Sequence, residues 1–169
     1  MNTSDYIRQL YDSQFWGMHQ ILSAAAGLSE AEYTGDSGIS IGSLRSVLTH
    51  CLAAESMYVS RARGLPTPTP DSPDWISEES LPTIEALTER WAAEEQITRA
   101  FLEQLTDDQL ADEKTFKRRD GAEVTQVVWQ MLTTVHQHSL QHRAEAAEAL
   151  TKLGRSPGNL DFIVYINER

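Results

Sequence analysis

Residues 122–153 read AEVTQVVWQMLTTVHQHSLQHRAEAAEALTKL, and their apolar positions recur at helical spacing. At about 100° per residue, Val124, Val128, Met131, Val135, Ala146, Ala149 and Leu153 fall on one narrow stripe. His138 and His142 lie in the middle of that stripe, one turn apart, so their imidazoles project to the same side. His136 points sideways to the stripe, which leaves 138 and 142 as the pair. The spacing predicts a helix over about 122–153, ended by Gly154.

Three further segments carry the same period. One spans about 4–26, with Ile7, Leu10, Tyr11, Met18, Ile21, Leu22 and Ala25 on one face, and stops at Gly27. A second spans about 41–63, with Ser40 as its expected N-cap and Gly64 past its end. Its exposed strip is expected to be Arg45, Thr49, Ser56, Ser60 and Arg63. The third spans about 83–105, with Ile84, Leu87, Trp91, Thr98, Leu102 and Leu105 at three- and four-residue steps. Residues 64–82 hold five of the six prolines, which stiffen that stretch and suit a long crossover. Asp120-Gly121 marks a turn within Phe116–Val124, a candidate hairpin before the last helix. Phe162, Ile163, Val164 and Tyr165 in the tail are expected to pack back on the helices. The pattern predicts an all-α fold, a four-helix bundle with a long crossover between helices two and three, as a single domain over 1–169.

Composition narrows the function classes. The net charge of −11, from 14 Lys and Arg against 25 Asp and Glu, repels phosphate backbones and anionic lipid surfaces. The cluster Lys114, Lys117, Arg118 and Arg119 reads as a solvated turn rather than a nucleic-acid patch. Neither nucleic acid nor membrane is therefore an expected partner. The single cysteine, Cys51, permits no intrachain disulfide. No apolar run approaches the ~20 residues of a membrane span, and the N-terminus lacks a signal-peptide profile, so the expected address is cytoplasmic.

An i, i+4 histidine pair brings two ring nitrogens close enough to share one ion. Two imidazoles packed in a core and bonded to neighbours satisfy the same pattern. His50 falls on the flank of the second helix's buried arc, beside Val47, Ala54 and Met57, a placement compatible with a site between helices two and four. Glu55 falls at the centre of that arc, where a carboxylate needs a partner or a raised pKa. It is a candidate proton carrier or acceptor for a ligand imidazole, or else an ion-pair partner of an arginine such as Arg143. Cys51 reads as a small core residue, His19 and His136 as surface or packing residues, and Trp16, Trp91 and Trp129 as core or interface.

The run His138-Ser-Leu-Gln-His142-Arg143, the helix end Leu150-Thr-Lys-Leu153-Gly154, then Pro157 and Asp161 resemble the C-terminal signature of the DinB / YfiT-like family, DNA-damage-inducible-type metalloenzymes. Ser43-Leu44 through His50, Glu55, Arg61-Ala-Arg63-Gly64, Asp120-Gly121, Tyr11 and Trp16 extend the likeness over nearly the whole chain. The resemblance implies a homodimeric four-helix bundle with a long crossover. It also implies a metal held by one histidine of helix two and two of helix four, here His50, His138 and His142. One departure is His142-Arg143-Ala144-Glu145, where the family often reads HRGQ. Asp161 is left between pinning the tail and capping the site.

Three neutral imidazoles leave an ion its full charge and an open position, whereas structural zinc sites are usually closed by four protein ligands. Zinc or nickel is the expected ion, with iron or copper also suited to imidazole. The resemblance implies a metal-dependent enzyme of thiol S-transferase or hydrolase type acting on a small molecule, with a low-molecular-weight thiol as co-substrate. The alternatives are a bundle with a structural metal and a metal-free interaction module.

Overall fold

The computed structural model describes residues 1–118 and 120–168, so Arg119 of the basic cluster lies outside the described residues. Four long helices carry most of it: α1 (Thr3–Ala25), α3 (Leu44–Ala62), α4 (Ile84–Gln104) and α6 (Val128–Lys152). Short helices α2 (Glu30–Thr34), α5 (Asp107–Leu110) and α7 (Phe162–Asn167) lie between and after them. Two antiparallel pairs complete the chain, β1 (Asp36–Ile39) with β2 (Gly42–Ser43) and β3 (Glu113–Lys117) with β4 (Glu123–Val127). The protein is mostly helical with a few short strands, where the sequence reading expects an all-α bundle with a candidate hairpin only at Phe116–Val124; the β1–β2 pair is additional.

Side-chain caps set the helix starts. The Asn2, Ser43 and Thr83 side chains accept from the amides of Asp5, Ser46 and Ala86, satisfying donors that have no partner inside the first turn. Ser43 therefore caps α3, three residues later than the expected Ser40, because residues 42–43 pair in β2. The last long helix also starts late. Residues 123–127 pair with 113–117 in register from Glu113↔Val127 to Lys117↔Glu123, so Val124 belongs to a strand and not to the helix stripe. The alternation and the β-branched Val124, Thr125 and Val127 favour that extended pairing. Gly121, at φ +83°, turns the hairpin at the expected Asp120-Gly121 position. Lys114 and Arg118 at its edges pair with Asp112 and Asp120.

Helix α6 packs on α3 and α1, and α4 packs on α1 and α3. One apolar cluster holds Met18, Leu48, Leu52, Leu87, Trp91 and Leu150, and a second holds Tyr11, Phe15, Leu102, Met131 and Val135. The proline-rich crossover runs from α3 to α4 and inserts Ile76 and Leu81 into the first cluster. It is tied down by Arg45 to Glu78 at 2.9 Å. That cover, with α2 against α3, corrects the expected exposed strip: Thr49 and Ser56 are buried, at 5% and 7% exposure. Among the described residues of the tail only Tyr165 is buried. It stacks near Trp16 at 5.9 Å between ring centroids, while Phe162, Ile163 and Ile166 stay exposed. Among the described residues no helix is long and apolar enough to cross a membrane.

The contact between α1 and α6 uses Gly17. A Cβ there would meet Nη1 of Arg143 at 2.4 Å. The guanidinium is buried and donates to the carbonyls of Ser13 and Gln14, so it cannot swing aside. Gly17→Ala is expected to destabilise the protein by about 1–3 kcal/mol, read as a lowered urea midpoint with unchanged slope.

Candidate metal centre

Helices α3 and α6 meet at Cys51 and Ser139, whose Sγ and Oγ lie 3.5 Å apart in the core. One residue earlier on each helix, the Nε2 atoms of His50 and His138 face each other at 3.0 Å. His142, one turn along α6, brings its ring to 4.9 Å from His50 and 4.4 Å from His138, centroid to centroid. The three residues offer ligand atoms all within 4.8 Å of one another. A tetrahedral ion at ~2.0–2.1 Å from each nitrogen would space them by about 3.3 Å, between the 3.0 Å of the His50–His138 pair and the 4.8 Å span of the cluster.

The donor chemistry fits a cation. Nδ1 of His138 is buried with no hydrogen-bond partner among the described residues. Burial, and then the neighbouring His142 and His50, push the His138 pKa down to about 4. Burial first, and His142 second, also lower that of His50. Both rings are therefore held neutral, the form that ligates metals. Nδ1 of His142 lies 2.7 Å from Oε2 of Glu145. The other oxygen of that carboxylate accepts from Ser40 Oγ at 2.7 Å. Burial raises the Glu145 pKa, yet the bonds from Ser40 and His142 outweigh it and hold the group below the ordinary carboxylate value.

The centre is lopsided toward solvent: His142 is buried, His138 half-buried and His50 exposed. His50 borders a cleft of about 1360 Å³ between α3, the crossover and the β3–β4 hairpin. Met57, Tyr58, Trp75 and Phe116 line it, and Arg61 stacks over the Phe116 ring at 4.1 Å. A small molecule entering this cleft arrives beside His50.

The remaining sequence candidates lie elsewhere. Glu55 is 1% exposed, and it accepts from Gln14 Nε2 at 2.8 Å rather than from any of the three clustered imidazoles. Gln14 Oε1 in turn meets His136 Nδ1 at 3.1 Å. Burial pushes the Glu55 pKa up to about 7, against the Gln14 bond. Arg143 donates to backbone carbonyls, so the expected Glu55–Arg143 ion pair is replaced by the Gln14 amide. Cys51 is buried, and burial raises its thiol to about 12, in keeping with a core residue. His19 pairs with Glu95 at 2.6 Å. Trp91 is core, whereas Trp129 is 47% exposed. The Asp161 backbone carbonyl accepts from the amides of Val164 and Tyr165, starting α7. Glu145 and Ser40 were not among the expected site residues; the spacing His142–Glu145, one turn of helix, was the available signal for the first.

A mostly helical chain in which two helices bring three imidazoles to one point, backed by a carboxylate, defines a helical protein with a candidate metal centre. The DinB family profile matches residues 1–169, and the chain belongs to the DinB family. Comparison with curated proteins gave no match. Among solved structures it is similar to the crystal structure of a conserved protein from Enterococcus faecalis. That likeness has a TM-score of 0.60 at 15% identity, covers 89% of this chain and 96% of the other, and shows the fold alone.

Proposed function

We propose that His50, His138 and His142 hold one divalent ion, zinc or nickel, at the flank of a four-helix bundle, and that the protein is a metal-dependent enzyme acting on a small molecule. The observation that carries this reading is the convergence of ring nitrogens from α3 and α6 on one point. A bound ion there supplies Lewis acidity, which lowers the pKa of a coordinated water or thiol. The chain's own residues do the rest. The buried ring of His142 is fixed by the part-buried Glu145. Exposed His50 leaves the cleft side accessible, and Met57, Tyr58, Trp75 and Phe116 offer apolar and aromatic surface to the body of a substrate, with Arg61 and Lys117 among the polar groups beside them.

Three protein ligands leave room for an exogenous one, which supports thiol transfer or hydrolysis over a purely structural ion. The test uses the protein loaded with Co²⁺. Adding a low-molecular-weight thiol is expected to produce a thiolate-to-metal charge-transfer band, absent in His138→Ala. A spectrum unchanged by thiols and by azide means a saturated shell, and contradicts the catalytic reading in favour of a structural ion.

A further inference from the structure

We infer that Glu145, held by Ser40, is the positioning residue of this centre: it fixes the tautomer of His142 and makes that ring the tightest of the three ligands. The inference rests on the metal reading above and adds to it a contribution from the β1–β2 turn.

The three rings are supported unequally. His50 is exposed, and Nδ1 of His138 has no partner among the described residues. His142 alone has its second nitrogen on a carboxylate, at 2.7 Å, with the ring 6% exposed and the Glu145 side chain 20% exposed. An ionised carboxylate only accepts, so this contact requires a proton on Nδ1 and leaves the Nε2 lone pair free to face the other rings. An anionic acceptor on the outer nitrogen also makes the inner one more basic and fixes the ring plane.

The carboxylate is itself held. Its second oxygen takes the Ser40 hydroxyl at 2.7 Å. Ser40 stands at the turn between β1 and β2, and β1 packs against α6. The turn thus reaches the centre through two hydrogen bonds in series, Ser40 to Glu145 to His142. With a divalent ion on three neutral imidazoles, the carboxylate brings the local charge from +2 to +1. This favours the cation and moderates the pull on anionic ligands.

Two measurements test this on full-length protein. Long-range ¹H–¹⁵N spectra of the metal-free protein report the tautomer of His142. Competition with a chromophoric chelator reports Zn²⁺ affinity. Wild type is expected to show His142 protonated on Nδ1, with Glu145→Ala losing that preference and binding Zn²⁺ roughly 10–100-fold more weakly. Glu145→Gln, whose amide oxygen still accepts, is expected to keep the tautomer and fall between the two in affinity. Ser40→Ala is expected to lose affinity by less than Glu145→Ala. Far-UV circular dichroism and the metal-free melting temperature establish that each variant is folded. A folded Glu145→Ala protein with an unchanged His142 tautomer and Zn²⁺ affinity within twofold of wild type overturns the inference. Wild-type protein without Zn²⁺ affinity contradicts the metal reading instead, and the tautomer of the metal-free protein still decides the role of Glu145.

Discussion

His138→Ala is expected to abolish the thermal stabilisation that Zn²⁺ or Ni²⁺ gives the wild-type protein, while leaving the metal-free melting temperature nearly unchanged. Helix α6 supplies two of the three imidazoles, and His138 is the ring whose Nε2 faces Nε2 of His50 at 3.0 Å. Without it, the two remaining ligands can no longer enclose an ion from three sides. A ligand that binds only the folded state stabilises it by mass action, about 2.7 kcal/mol at a free concentration of 100 times Kd. For a chain of this size each kcal/mol moves the midpoint by about 2–4 °C, so wild type is expected to gain roughly 5–10 °C. Metal-free stability should be spared for a specific reason. The replaced ring is half-buried, and its Nδ1 has no partner among the described residues, so its removal deletes an unsatisfied polar atom together with some packing. Melting curves with chelator and with each metal, on both proteins, decide it. Equal shifts in wild type and variant would place the stabilising ion elsewhere.

The second large effect concerns Glu55, whose buried carboxyl has its pKa raised to about 7. In the unfolded chain it titrates near 4.5. Between those values the folded protein holds a proton that the unfolded chain has released. Stability contributed by the neutral acid is therefore fully present below the unfolded value and is lost as pH rises through about 7. A shift of this size corresponds to about 3 kcal/mol. His50, His136 and His138, whose pKa values are lowered chiefly by burial, act in the opposite sense over acid pH, because the unfolded chain binds their protons first. The difference between Glu55→Gln and wild type cancels those terms. Glu55→Gln keeps an oxygen to accept from Gln14 and never ionises, so its stability relative to wild type is expected to grow by about 3 kcal/mol from pH 4.5 to 8. Any constant cost of burying the new amide drops out of that slope. Urea titrations across the range measure it; a flat difference would show that Glu55 is already paired as an anion in the folded protein.

Much of the helical frame was legible because its signals are local. The apolar spacing of α1 and α4, the glycines at 27, 64 and 154, and the proline-rich run each act within a few residues. His138 and His142 could be paired because helical geometry alone puts residues four apart on one side. The rest depends on contacts between distant segments. Val124 fits the period of α6, yet it lies in a strand because residues 113–117 pair with it. Thr49 and Ser56 look like a solvated strip and are buried because α2 and the crossover cover that side. Glu55 was recognisable as buried, but its partner, Gln14, comes from 41 residues upstream on another helix. Ser40 lies 105 residues from Glu145, and only the β1–β2 turn brings it there.

The measurement that bears most directly on the centre is the metal content of the purified protein, by elemental analysis against protein concentration. The expected result is about one divalent ion per chain in wild type, and a loss of that ion when His50, His138 or His142 is replaced by alanine. No stoichiometric ion in wild type, before or after incubation with excess Zn²⁺ or Ni²⁺, would mean that the three imidazoles meet without serving as a metal site.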